Sequence, residues 1–459
     1  MSKKNNNPLL PREVYVLSSV AFFVALGYGM VIPAIPLFAK SFQVNNAQIG
    51  AIISAFALAR FAMGLPAGKL IDIFGERRVK ITGERKSVLT LPDRSVDADA
   101  EARGLTVSLP APEARSLWPQ LGGAASHGGG HIALGPTLRQ AWSSSYGSGT
   151  SYRRRVTAGP VATADRVFMG DAEGFVSAFD IANGARRWRL NTRPENDRGE
   201  GGGAGVIVEG DTLFVATGLS EMLALSAADG SVKWRERLPA PMRGAPSFAN
   251  GRLFVTTLDS QLLALSAEDG KLLWRYRAQA IQTVPLGLPP PAISGDTVVA
   301  GFPSGEILAF RANDGRVIWS DSLAAAGGTS LADVGSVRAA PVISGGSVIG
   351  IGMGGVGLSI DLRAGRRIWE REFGGTEMPW AAGDWVFGTT DFGEMVALHR
   401  ETGQARWAVS LRPPAQAGKP REAVQLSSPL LAGGRLLVGT SRAELLSLNP
   451  TDGEVFSRQ

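Results

Sequence analysis

Two regimes of hydrophobic patterning divide the chain. Val14 to Ala39 is an uncharged run of 26 residues. At 1.5 Å per residue it makes about 39 Å of helix, enough for a hydrocarbon core of roughly 30 Å with some tilt. A second apolar run, Gln48 to Gly68, is broken by Arg60. A secretory signal has a shorter apolar region followed by a small-residue cleavage site, and Pro33 and Pro36 interrupt the end of this one. Residues 1–80 therefore predict a transmembrane α-helical hairpin. Arg60 is costly inside a bilayer unless a polar cavity or partner helix receives it. Lys/Arg counts of three before the first run, one between and four after put both ends on the cytoplasmic side.

Beyond about residue 135 the period changes to that of strands. One phrase recurs seven times: "FDIANGARRW", "LSAADGSVKW", "LSAEDGKLLW", "FRANDGRVIW", "IDLRAGRRIW", "LHRETGQARW" and "LNPTDGEVFS". Its aromatic positions read Trp188, Trp234, Trp274, Trp319, Trp369, Trp407 and Phe456, at spacings of 46, 40, 45, 50, 38 and 49. These fall in the range of propeller blades. Within each repeat, a strand beginning near a proline (Pro246 to Val255, Pro341 to Ile349) leads through a Gly turn to a strand of alternating type, such as "EMLALSA". Asp-Gly, or an equivalent, then marks a hairpin, because Gly accepts positive φ without steric cost. An indole recurring once per blade contributes most area between neighbouring sheets. The expected class is all-β, a multi-bladed β-propeller behind a transmembrane hairpin. The domains are 1–80 hairpin, 81–134 extended lead-in or linker, and 135–459 propeller.

Charge sharpens this division. The net +6 lies entirely in residues 1–80, which hold nine Lys/Arg against three acids. The other 379 residues carry 38 of each sign, so no nucleic-acid footprint is indicated. The absence of cysteine excludes disulfides, thiolate metal sites, a Cys nucleophile and a lipid-modified Cys. The 58 glycines fall in spaced turns, as many short strands require.

Two resemblances follow from these residues. "GKLIDIFGERR", with Gly68, Asp72, Gly75, Arg77 and Arg78, resembles the loop after the second helix of major facilitator superfamily transporters. Two of that family's twelve helices are covered, and its transport path lies between six-helix halves, so transport by this chain alone is not expected. From about Ile81 onward the repeat wording resembles PQQ-like propellers, and within them the BamB family of outer-membrane β-barrel assembly subunits. "GERKSVL", "VSLPAPEARSLWPQLGGAASHGGGH" and "LRQAWSSSYGSG" are similar to the opening of alphaproteobacterial members.

The BamB resemblance implies eight blades, the last completed by a strand around Ala141-Trp142. Seven repeats are legible here, so the last blade is expected to be incomplete, with unpaired edges. It also implies a non-enzymatic scaffold that binds BamA through loops joining middle blades. The matching loops are Gln279 to Ala292, with Val284 and Leu286, and Gly327 to Pro341, with Leu331, Asp333 and Val334. Gly335 stands where the family pattern has a further Asp, and the first loop lacks an Arg found in some members. The structural indoles are Trp142, Trp188, Trp234, Trp274, Trp319, Trp369 and Trp407.

Other chemistry is thin. His127 and His131 frame "HGGGH", but three glycines between them oppose a helix and so an i, i+4 metal pair; a Gly-rich loop is expected. His399 lies in a blade strand. "GMGGVG" (Gly352, Gly354, Gly357) matches a dinucleotide fingerprint formally, yet strands flank it on both sides. "GEGGGAG" (Gly199 to Gly205) reads as a face loop. No carboxylate cluster for Ca²⁺ accompanies the PQQ-like repeats, so no cofactor, metal, small-molecule substrate or nucleic acid is expected. The alternatives are a quinoprotein-type oxidoreductase and an inner-membrane transporter–propeller fusion or chimeric product. The resemblance implies a periplasmic propeller, whereas the hairpin's charges would leave it cytoplasmic. The repeated "GER" of Gly75–Leu89 marks a seam between these readings, between Val79 and Thr82.

Overall fold

The computed structural model describes residues 96–151, 156, 158–194, 203–281, 287–323, 336–353, 355–413 and 422–459. All belong to one compact unit, Thr90–Gln459. The hairpin expected over 1–80, its loop motif and the seam lie outside the described residues. Among the described residues, no helix is long and apolar enough to cross a membrane.

Seven antiparallel sheets of four strands follow one another, each with its strands in sequence order. We number them as blades 1 (161–191), 2 (204–237), 3 (247–277), 4 (292–322), 5 (342–372), 6 (380–410) and 7 (430–458). First strands of successive blades lie side by side, which puts them innermost and makes the array a propeller. Every legible repeat thus closes its own sheet. The strand expected around Ala141-Trp142 is not formed, and residues 138–146 make no ladder.

The third strands differ from the alternation read in the sequence. In Glu221–Ser226 the run Met222–Leu225 is buried without interruption. Met222 and Ala224 pack toward blade 3, while Leu223 and Leu225 pack toward blade 1. A strand between two sheets needs apolar residues on both faces, as this one has. Fourth strands such as Val232–Arg237 alternate exposed and half-buried positions, because they form the rim.

One contact repeats along the array. The indole of each of blades 1–6 lies on the hairpin glycine of the next blade and donates its N–H to a carbonyl of that turn. Trp188 binds Ala227 O at 3.1 Å, Trp234 binds Ala267 O at 3.2 Å and Trp274 binds Ala312 O at 2.9 Å. Trp319 reaches Leu362 O, Trp369 reaches Arg400 O, and Trp407 reaches Pro450 O at 2.9 Å. Trp142 makes the same bond to Ile181 O of blade 1 at 2.8 Å. Each turn glycine therefore has positive φ and an indole where its side chain would stand, as at Gly184, Gly230 and Gly315.

Register also corrects the seventh aromatic. Trp234 pairs with Ala224 and Trp407 with Ala397, each beside a bulge. In blade 7 the residue paired with Ser447 is Ser457, not Phe456. Phe456 instead points outward and is 55% exposed. The spacing of 49 was one residue short, because the repeat counts from Gly453 and four residues on is Ser457.

Two turn glycines separate the indole contact from backbone strain. Gly315 has φ +72, and a Cβ there would meet Trp274 Cε3 at 2.5 Å; Gly295 has φ +58 and open space. Left-handed backbone costs an alanine about 1–2 kcal/mol, and overpacking adds about 1–3 kcal/mol. Chemical denaturation should therefore find Gly315→Ala less stable than Gly295→Ala by about 1–3 kcal/mol. Equal losses would remove the packing role assigned to Trp274.

Candidate functional site

The first strand of each sheet has one unpaired edge, and that edge faces the axis. A buried peptide group without a partner costs about 1–3 kcal/mol, so seven such edges need an answer. The lead-in segment supplies it. Trp118 exchanges two backbone bonds with Ala162 of blade 1, both 2.8 Å. Pro119 O accepts from Val208 N of blade 2 at 2.9 Å. The Gln120 amide grips Phe248 of blade 3, accepting from its N–H at 3.0 Å and donating to its carbonyl at 3.3 Å. Ala125 O takes Ile293 N of blade 4 at 2.7 Å, and Ser126 O takes Ile343 N of blade 5 at 2.8 Å. Gly130 N donates to Ala381 O of blade 6 at 3.1 Å, and Ile132 N donates to Leu431 O of blade 7 at 3.0 Å. Residues 118–132 thus visit all seven blades in order and form an axial hub.

Side chains hold the hub in shape. Arg115 Nη2 donates to Gly129 O at 2.7 Å. Trp380 stacks on Trp118 with centroids 6.3 Å apart and donates its N–H to Gly130 O at 2.7 Å. Gly129 lies so close to the Trp380 ring that any Cβ would enter it. This explains the glycines of "HGGGH" better than flexibility does.

Both histidines serve the hub. His131 donates from Nδ1 to Pro110 O and accepts Gly434 N–H at Nε2, each at 2.8 Å. His127 is fully buried, with Nδ1 2.8 Å from Pro341 O. A carbonyl only accepts, so Nδ1 carries the proton, and Nε2 is buried with no partner. Burial lowers the imidazole from 6.5 to about 4, against an upward pull from the Pro341 contact. Among the described residues, no group of three or more His, Asp or Glu side chains is placed to hold a metal. His399 lies edge-on to Trp385 and meets the Thr402 hydroxyl at 3.2 Å. Strands Ser347–Ile351 and Val356–Asp361 flank "GMGGVG" as a hairpin.

The inter-blade connections lie on the opposite face. Of the loop residues singled out in the sequence, Val284, Leu286, Leu331, Asp333 and Val334 all lie outside the described residues. Their stems are described. Leu288 N donates to Arg243 O, and Thr256 donates to Pro289 O, both at 3.1 Å. On the second loop, the Ser336 hydroxyl donates to Pro303 O at 2.7 Å, and Val337 N donates to Phe302 O at 3.1 Å. Exposed Arg338 comes beside Gly287, where its Nε would be 3.6 Å from a Cβ, and its charge also acts on Asp391. Asp391 is exposed as a residue, yet its carboxyl is set low enough that desolvation outweighs Thr376 and Arg338 and raises its pKa. Sequence reading missed Arg338, because its neighbours come from separate loops.

Comparison with known proteins agrees with this geometry. The family model described as "Outer membrane protein assembly factor BamB" matches residues 126–201 and 172–409, more than half of the chain. The Major Facilitator Superfamily model matches residues 17–83. The outer membrane protein assembly factor BamB of Salmonella typhimurium is 30% identical over 325 residues, covering 69% of this chain and 80% of that protein. The crystal structure of BamB from Moraxella catarrhalis is similar with a TM-score of 0.57 and 22% identity, over 66% of this chain and 87% of that one. A europium-containing methanol dehydrogenase shares the fold with a TM-score of 0.61 and 14% identity, over 75% and 85%.

His127 ties the hub to pH. The unfolded chain binds a proton near 6.5, while the folded chain refuses it until about 4. Stability is therefore fully present above 6.5 and falls as pH drops toward 4, by up to about 3 kcal/mol. Between pH 7.5 and 4.5, His127→Gln should lose less stability than the parent chain in urea titrations. Parallel losses would show that His127 is not the group responsible.

Proposed function

We infer, since this chain belongs to the BamB family of outer membrane protein assembly factors, that its propeller is a non-enzymatic scaffold in the assembly of outer-membrane β-barrel proteins. The partner is BamA, and the propeller works on the periplasmic side. The observation that carries this reading is the family match across the blades, combined with two long loops whose stems are pinned to blades 3 and 4. Stems fixed in this way bring the residues between them to a defined part of the propeller, as a scaffold that presents contact residues requires. Val284, Leu286, Leu331, Asp333 and Val334 are the tip residues assigned to the partner. Arg338 stands between the stems and supplies a cation on a loop pair whose first member has none.

A quinoprotein reading starts from the shared fold alone, since the methanol dehydrogenase is 14% identical. In this chain residues 118–132 already engage the axial edges of all seven blades, six through backbone and blade 3 through the Gln120 amide. A ligand seated on the axis would displace bonds on which the ring depends, which favours the scaffold. The transporter-like residues 17–83 are assigned no transport activity, and the domains are 1–80, 81–134 and 135–459.

Pull-down of the full chain in detergent with the periplasmic repeats of BamA tests the proposal. Asp333→Arg and Arg338→Glu should each weaken capture about tenfold, as reversal of a partner-facing charge does. Undiminished capture by both variants, with folding verified by circular dichroism, would sink the assignment.

A further inference from the structure

Two identical tripeptides, Ala182-Asn183-Gly184 and Ala249-Asn250-Gly251, place the same chemistry in two environments. An asparagine before glycine is an electrophile beside a nucleophile. The main-chain nitrogen of the glycine can attack the carboxamide carbon, and the glycine has no Cβ to obstruct it. Four Asp-Gly pairs, at Asp229, Asp269, Asp314 and Asp452, hold a slower version of the same arrangement. In five of these six pairs the fold withholds the nucleophile.

The five are Asn183 and the four aspartates, each in the turn between the third and fourth strands of a blade. Gly184 N donates to Asp180 O, Gly230 N to Ser226 O, Gly270 N to Ser266 O, Gly315 N to Arg311 O and Gly453 N to Asn449 O, each at 2.9 Å. An indole lies against every one of these glycines, from Trp142 at Gly184 to Trp407 at Gly453. Attack would break the bond and turn the peptide plane against the ring. The Asn183 carboxamide is held as well, since its Oδ1 accepts the Ala185 N–H at 2.9 Å. The relay that joins the blades therefore also shields its turns from their own chemistry.

Asn250-Gly251 is the exception. The pair forms the two-residue turn between the first and second strands of blade 3, Ser247–Ala249 and Arg252–Thr256. Its φ values of +50 and +72 are those of a type I′ turn. Both residues are exposed, and a Cβ on Gly251 would meet nothing within 4 Å. Among the described residues, no backbone acceptor takes the Gly251 N–H. The turn also adjoins the hub: Phe248, paired with Leu253, is the residue whose N–H and carbonyl the Gln120 amide holds.

We propose that Asn250 is a site of self-modification by deamidation. The Gly251 nitrogen bonds to Cγ of Asn250 and gives its proton to water, while the Cγ–Nδ2 bond breaks and ammonia leaves. Water then opens the cyclic imide at either carbonyl, giving aspartate or isoaspartate, with nothing oxidised or reduced. Either product adds one negative charge to the turn. Isoaspartate also lengthens the main chain by one carbon within a two-residue turn. That displaces Arg252 against Ala249 and loosens the Gln120 grip on Phe248, so blade 3 is where the hub's hold weakens as the protein ages. This site is separate from the loops assigned to BamA and does not rest on that assignment.

The identical tripeptides provide the control. The full chain is incubated in detergent in mildly alkaline buffer, and the tryptic peptides 244–252 and 167–186 are followed by mass spectrometry. The amide-to-acid mass gain is expected at Asn250 at least about tenfold faster than at Asn183, where a made hydrogen bond must first break. In urea the two sites should convert at the same rate, because only the fold distinguishes them. Equal rates in the folded chain, or no conversion at Asn250, overturn the proposal. Hydrogen exchange at Phe248 should rise in the isoaspartate form and stay at the parent level in Asn250→Asp, which carries the charge without the extra carbon. Unchanged exchange in the isoaspartate form would overturn the effect on the hub.

Discussion

An inner strand of a propeller has a neighbour on one side only. Its other edge points at the axis, where peptide groups are shut away from bulk water yet have no ladder to join. The hub of residues 118–132 meets that constraint with backbone groups at six blades and the Gln120 side-chain amide at blade 3, and the shape of the rest follows from it. Each blade offers one or two bonds, so the hub's path fixes where each first strand stands relative to the axis.

Two kinds of connection act at different radii. The hub ties inner edges, while the indole relay ties the hairpins of neighbouring blades by one hydrogen bond and one ring-on-glycine contact per step. Between them lie third strands buried on both faces. A single net hydrogen bond contributes about 1 kcal/mol, so neither connection holds a blade alone. Their arrangement matters more than their sum. The relay runs in one direction, from Trp142 to the turn of blade 7, and ends at Ser457, where no indole follows.

Much of the fold was legible in the sequence because each blade writes its own signature. The turn glycine, preceded by Asp or Asn in five of the seven blades, the apolar run before it and, in blades 1–6, the Trp four residues after it are local consequences of one contact repeated. The error at Phe456 shows the limit of that legibility. An aromatic in nearly the right place was taken for the indole's equivalent, whereas the register counts from the glycine. The hub was less legible still. "WPQLGGAASHGGGHI" has no period, because successive residues answer seven different edges at uneven intervals. His127 and His131 look like metal ligands by type and like loop residues by context. Their role as hydrogen-bond partners of Pro341 and Gly434 depends on segments more than 200 residues away.

The two faces of the propeller carry different obligations. On one, the hub segment, the first turns of the blades and the indole relay leave few positions free, since a Cβ on Gly129 or a shift of Trp380 disturbs backbone bonds to several blades. On the other, the two middle inter-blade connections are fastened at their described stems by main-chain and hydroxyl bonds to blades 3 and 4. The division arises because the axis is filled by the chain's own residues 118–132, whose bonds fix the inner edges, while the stems of the inter-blade connections are fixed by separate bonds of their own.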